Sequence, residues 1–127
     1  MANFGRTIPI LRFYEESATK DFYLDFLGFD PLFEFRFEPD TPLYFGVQCG
    51  DTVLHLSGHY GDGTPGTRIR IEHPDVHAFC AELNAKRFAF ARPGVQSQPW
   101  GYDDMAISDP AGNVVIFGTP HRAEKTD

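Results

Sequence analysis

Apolar residues recur along this 127-residue chain at intervals of two in some stretches and of three to four in others, and the switches between the two periods mark its elements. Thr7 to Phe13 reads as a short apolar strand. Ser17 is then expected to cap a helix whose buried side carries Ala18, Phe22, Tyr23, Phe26 and Leu27 and which ends at Gly28. Leu32 to Glu38 alternates, with Phe33, Phe35 and Phe37 on one face and Glu34, Arg36 and Glu38 on the other. Leu43 to Gln48 and Thr52 to Ser57 follow as strands joined by the hairpin signal Gly50-Asp51. After a Gly-rich joint, residues 58–66 (GHYGDGTPG), the same grammar returns. Thr67 to Glu72 is a strand, and Pro74 opens a helix with Val76, Phe79, Cys80 and Leu83 on its apolar side. Arg87 to Ala91 reads as a short strand, Tyr102 to Ser108 and Val114 to Thr119 as a closing pair, and His121 to Asp127 as a polar, frayed tail. The expected organisation is one domain over residues 1–127, made of two modules at about 5–57 and 67–119 joined by the 58–66 linker.

Composition narrows the classes of function. A chain of this length buries about two-thirds of the surface its unfolded form exposes, so it needs no disulfide. Its thirteen Phe exceed what such a core requires, which predicts that some face a ligand or a second subunit. A net charge of −7 disfavours nucleic acid, whose phosphates need clustered cations, and weakly favours cationic ligands. The N-terminus has neither a basic signal-peptide start nor an apolar run long enough to span a bilayer, so a cytoplasmic protein without membrane partners is expected. Cys49 and Cys80 lack any paired or metal-binding spacing and read as reduced, buried thiols.

The stretch Gln98 to Phe117, QPWGYDDMAISDPAGNVVIF, carries the most information. Pro110 presets φ at the second position of a turn, Gly112 accepts a positive φ before a β-branched run, and Asp109 can accept backbone N–H bonds. This turn, with Gln98-Pro99-Trp100-Gly101 ahead of it, resembles the last hairpin of a bleomycin-resistance or glyoxalase-type domain. Ile8-Pro9-Ile10-Leu11, Phe22-Tyr23 and Leu27-Gly28-Phe29 extend the resemblance over nearly the whole chain, to the vicinal-oxygen-chelate superfamily. The resemblance implies an α+β fold in which two βαβββ modules form a cup-shaped mixed sheet, in a homodimer whose grooves lie between subunits.

Metal-dependent members of that superfamily place His, Gln or Glu on the first and last strands of each module. Carried over, those positions fall at Ile8, near Leu54 and His55, at Arg68 and at Ile116. Aliphatic side chains and a permanent guanidinium cannot ligate, and His55 alone does not make a site that needs three or four donors. His73 and His77 have an i, i+4 spacing, yet Pro74 makes that turn a helix entrance, and a solvated face is the simpler reading. No metal or cofactor is expected, and no nucleophilic constellation is present: Ser57 and Ser108 lack a Gly-x-Ser-x-Gly elbow.

The candidate ligand-binding residues are aromatic and charged. Trp100 is either a core anchor or, as the resemblance implies, a stacking surface at the groove rim. His55 shares a strand face with Val53 and Ser57, and is either a half-buried, hydrogen-bonded histidine or a ligand contact. Arg68 is either an edge ion pair or a contact to ligand or interface. Phe35, Phe37, Tyr44, Tyr60 and Tyr102 could extend the aromatic surface, and Asp103 and Asp104, with Glu34, Glu38 and Asp51, could attract a cation. The expected function is non-catalytic sequestration of a bulky planar or cationic antibiotic-like molecule in an aromatic and acidic groove. Tyr102-Asp103-Asp104 departs from the Arg-Glu-Phe-like residues of close drug-binding relatives, so the particular ligand stays open. The alternatives are a metal-dependent lyase, isomerase or dioxygenase using His55 with Glu72 or Asp104, and a small-molecule sensor or partner subunit with no antibiotic role.

Overall fold

In the computed structural model, residues 3–88 and 91–121 are described. The chain divides into two compact units, Met1–Pro65 and Gly66–Asp127. Each repeats one order of elements, strand, helix and three strands, so the class is α+β with two βαβββ units.

In the first unit, β1 (Ile10–Arg12) runs parallel to β4 (Thr52–Ser57), with Ile10 opposite His55. The strand is shorter than the apolar run Thr7 to Phe13 suggests. Pro9 has no N–H for a ladder, and only its carbonyl is used, accepting from His55 N at 3.0 Å. The helix α1 (Glu16–Lys20) starts earlier than a Ser17 cap allows. Glu15 is the cap, its carboxylate accepting from Ala18 N at 2.9 Å and Ser17 N at 3.4 Å. The helix then widens into a π-helical segment, Asp21–Phe26, with Leu27 N bonding back five residues to Phe22 O. Phe22, Tyr23, Phe26 and Leu27 are all buried, and each contributes about 1.5–3 kcal/mol of apolar burial. Gly28, at φ +88°, ends the helix as expected.

The remaining strands, β2 (Asp30–Phe35), β3 (Tyr44–Cys49) and β4, form an antiparallel meander, giving the sheet order β1-β4-β3-β2. The register shifts between Pro31 and Phe33, beside a residue with no N–H to donate, and β2 ends at Phe35, short of Glu38. Leu11, Phe45, Val47, Leu54 and Leu56 are buried, and the Lys20 ammonium of α1 lies 5.9 Å from the Phe45 ring centroid. Salt bridges Lys20–Glu34 and Arg36–Glu16 tie the helix to the β2 segment. Cys49 is exposed, not buried, because it closes β3 at the hairpin, and Cys80 is half-buried.

The second unit has β5 (Arg68–Glu72) parallel to β8 (Val114–Pro120), then β7 (Tyr102–Ser108) and β6 (Gln96–Gln98), in the order β5-β8-β7-β6. Helix α2 (Val76–Ala85) is capped by Asp75, one residue after Pro74, and buries Val76, Phe79 and Leu83. Its Phe79 ring meets Phe117 of β8 edge-on at 5.0 Å. The second strand of this unit, expected from Arg87 onward, is not found at the described part of that run. Arg87 is a turn residue at φ +55°, Phe88 is not in a strand, and residues 89 and 90 lie outside the described residues, as do 122–127 of the tail. Gln96-Ser97-Gln98 takes that place, an edge strand without the apolar alternation that would announce it.

The Asp109 turn forms as its residues dictate. Asp109 Oδ1 accepts from Ala111 N and Asn113 N at 2.9 Å, Oδ2 accepts from Asn113 Nδ2 at 3.1 Å, and Gly112 adopts φ +94°. No helix among the described residues is long and apolar enough to cross a membrane. Because Asp109 is buried, Asp109→Ala leaves interior donors unsatisfied, and a loss of about 2–3 kcal/mol is expected. Urea titration should show a lower midpoint at unchanged m-value, and an unchanged midpoint refutes this role.

Candidate functional site

Strand alternation gives each sheet two unlike faces. In the second unit, Ile69, Ile71, Met105, Ile107, Val115 and Phe117 point to the helix side, leaving Arg68, Arg70, Asp104, Ala106 and Ile116 on the other. These five floor a groove of about 910 Å³, with Gln96, Gln98 and Trp100 on its side and the Gly94-Val95 segment beside them. Trp100 is 62% exposed, and its turn is fixed by Gly101 at φ +94°, with Gly101 N bonding to Gln98 O.

Asp104 and Arg70 form the central feature of that floor. Both guanidinium Nη atoms donate to Asp104, Nη1 to Oδ2 and Nη2 to Oδ1, each at 2.9 Å. Asp104 is buried, and Arg70 also lies over the Tyr102 ring at 5.0 Å. The Tyr102 hydroxyl donates to Glu72 at 2.5 Å, a bond that holds the phenol above its ordinary pKa. The pair lies across Gly118, where a Cβ would meet Asp104 Oδ1 at 2.7 Å, Arg70 Nη2 at 2.9 Å and Tyr102 Cδ2 at 3.0 Å. Glycine at 118 is therefore the space the pair occupies.

The open face of the first unit is aromatic. Phe33 lies over Gly46, stacks on Tyr44 at 6.1 Å and meets His55 edge-on at 5.1 Å. His55 Nδ1 and the Tyr44 hydroxyl share a hydrogen bond of 2.8 Å, and burial lowers the pKa of this imidazole below its usual 6.5. Burial first, and then Asp62, raise that of Tyr44. Beside them, Phe35, Phe37, Tyr44, His59, Tyr60 and Asp62 line a pocket of about 540 Å³. Tyr60 is almost wholly exposed.

The sequence candidates thus fall into two groups. Trp100, Arg68 and Asp104 line the groove of the second unit, while Phe35, Phe37, Tyr44 and Tyr60 line the pocket of the first. His55 lies beneath Phe33 and Tyr44 and does not line that pocket, and the Tyr102 ring lies beneath the Arg70 guanidinium. Asp103 corrects the expectation of an acidic pair in one groove, because neighbours on a strand point to opposite faces. Its carboxylate turns to His77 and His121, at 2.9 and 2.8 Å, and to Ser97 at 2.8 Å. The bonds from His77, His121 and Ser97, in that order, hold its pKa far below the usual carboxylate range. Arg70, Asp62 and the two glutamines of β6 were missing from the candidates. The spacing Arg68-x-Arg70-x-Glu72 places Arg70 on the face of Arg68 and was the available signal.

The superfamily's metal positions do not fit a divalent ion. Ile116 and Arg68 offer no lone pair, Ile8 is aliphatic, and His55 already bonds Tyr44. Among the described residues, no group of three or more His, Cys, Asp or Glu could hold a metal ion. His73 precedes α2 and stacks on Phe79 at 4.6 Å while His77 bonds Asp103, so the two do not converge.

Residues 1–124 match the model of a family described as glyoxalase superfamily protein. No curated protein sequence matches the chain. Among solved structures, TnmS3, an antibiotic binding protein from Streptomyces sp. CB03234, is 28% identical, with a TM-score of 0.73 over 94% of this chain and 98% of its own. The bleomycin-binding protein of Streptomyces verticillus, solved with copper(II)-bleomycin, is 29% identical, with a TM-score of 0.72 over 96% of this chain and all of its own. A bleomycin resistance determinant encoded on transposon Tn5 shares the fold at 20% identity, with a TM-score of 0.72 over 94% of this chain and 100% of its own.

Two outcomes follow from this geometry. Gly118→Ala forces the Arg70–Asp104 pair apart and should lower stability by about 1–3 kcal/mol in chemical denaturation, whereas Gly94→Ala, with open space at its Cβ, should change it little. His55 is held neutral in the fold, so below pH 6.5 the unfolded chain takes up a proton that the folded chain resists. Stability is therefore lost as pH falls through and below 6.5. Wild-type and His55→Gln stabilities, compared at about pH 7.5 and 5.5, should diverge in that direction, and parallel curves would remove the assignment.

Proposed function

Since this chain belongs to the glyoxalase superfamily, we propose that it is a non-catalytic binding protein that sequesters a bulky, planar, antibiotic-like small molecule. The observation that carries this reading is the groove around Trp100. Where metal-dependent relatives place ligands it has Ile116 and Arg68, so its floor can pack and pair with a guest but cannot activate one through a metal. The likeness to an antibiotic binding protein and a bleomycin-binding protein, over nearly the full length of each, supports the same reading.

In this reading Trp100 offers its exposed indole face for stacking, Gln96 and Gln98 offer amide hydrogen bonds, and Ile116 and Ala106 offer apolar contact. The pocket of Phe35, Phe37, Tyr44 and Tyr60, with Asp62 at its margin, is a second aromatic surface and the better place for a cationic group. Self-association belongs to the same proposal. Edge strand β2 exposes Leu32, Phe33 and Phe35, an apolar edge of the kind a second copy covers. A cytoplasmic location fits the two free thiols. A metal-dependent lyase or dioxygenase is disfavoured, because Glu72 and Asp104, the acids it would recruit, are already bonded to Tyr102 and Arg70.

Trp100 is the single tryptophan, so its fluorescence reports the groove directly. Titration with bleomycin, metal-free and copper-loaded, should give saturable quenching at about one drug per chain with micromolar or tighter Kd. Trp100→Phe serves as the inner-filter control, and Trp100→Ala should weaken binding about three- to tenfold by calorimetry. Absence of any response at about 100 µM drug retires bleomycin as the ligand.

A further inference from the structure

We propose that the Trp100 groove selects planar aromatic molecules that carry an anionic group, with Arg68 as the residue that reads the charge. This rests on the binding role proposed above and names the chemistry of the guest. Three ionised side chains floor the groove, Arg68, Arg70 and Asp104. Two of them are spent on each other. Each Asp104 oxygen accepts from an Arg70 nitrogen at 2.9 Å, and the carboxylate is buried, so it presents no free negative charge to a guest. Arg70 is held further by the Tyr102 ring beneath its guanidinium.

Arg68 differs. It is exposed on the same face, two residues along β5, and among the described residues it has no hydrogen-bond or ion-pair partner. Glu72, the other acid on that strand face, lies roughly 13 Å further along at the strand's rise per residue and is bonded by Tyr102. Among the described residues the groove therefore holds one uncompensated positive charge next to an exposed indole, despite the chain's net −7. A guanidinium offers a planar fork of donors that matches a carboxylate or sulfonate in two parallel bonds. Overall charge acts on encounter through a screened field, whereas this contact acts within the groove.

The test uses three planar probes differing in one substituent: anthraquinone-2-carboxylate, anthraquinone-2-carboxamide and 2-(aminomethyl)anthraquinone, titrated into the full chain by calorimetry. The carboxylate should bind about tenfold more tightly than the carboxamide, and the aminomethyl compound most weakly. Arg68→Gln should abolish the carboxylate's advantage over the carboxamide, and Arg68→Lys should retain part of it. A thermal melt of each variant confirms that the fold is intact. Equal affinity for all three, tightest binding of the aminomethyl compound, or a carboxylate preference that survives Arg68→Gln overturns the assignment and leaves the binding role standing. Failure of all three to bind also overturns it, and removes the binding role as well only if bleomycin gives no response.

Discussion

The period of two along a β-strand is the constraint from which the rest of this structure follows. Each unit has one helix and one four-stranded sheet, and one helix can cover one face. Every second strand residue must therefore be apolar to meet the helix, and its neighbours are left on a face that the unit's own helix does not use. In the second unit that division is sharp: Ile69 and Ile71 alternate with Arg68, Arg70 and Glu72 on a single five-residue strand. What remains on the open face is free to be chosen for chemistry, because it carries little of the core's packing energy.

The two open faces carry different chemistry. That of the first unit is built from rings: Phe33 settled into the space above Gly46, Tyr44 bonded to His55, and Phe35 and Phe37 edge to face at 5.0 Å. That of the second is built from charge, with the Arg70–Asp104 fork lying across Gly118. In both, a glycine in the strand paired to its neighbour gives the space a side chain needs to lie flat on the sheet, which is a packing reason for glycine inside a strand. The fork itself stabilises only modestly, since desolvating the carboxylate offsets much of the Coulombic gain. Its structural effect is orientation: it fixes Arg70, occupies Asp104 and leaves Arg68 as the cation available on the groove floor.

Element type and order were legible in the sequence because they depend on periodicity and on local stop signals. Gly28, Gly50-Asp51 and the Asp109 turn act through their own backbone geometry and a few adjacent bonds, so they stand where the residues say. The misplaced pieces depend on something non-local or non-apolar. Ser17 lost the cap to Glu15, whose longer carboxylate reaches the same donors. Gln96–Gln98 lies at an exposed edge and has no apolar alternation to read. Of the residues lining the groove, Trp100 and Arg68 were singled out through the resemblance, one by its motif and one by the position carried over. The pairing of Arg70 with Asp104 was not, since it joins residues 34 positions apart and only the register of β5, β8 and β7 brings them together.

The adjacent pair Asp103-Asp104 shows how one strand step decides where a charge acts. Both are acids, and composition alone would assign them one role, the attraction of a cation. Alternation sends Asp104 into the groove, where Arg70 takes both its oxygens, and Asp103 to the far side, where it gathers His77, His121 and Ser97. Neither carboxylate then supplies free negative charge at Trp100, although the chain as a whole is acidic. The sign of a binding groove is thus set by which charges remain unpaired within it, not by the sum over the chain. An acidic protein can carry a cationic groove on those terms.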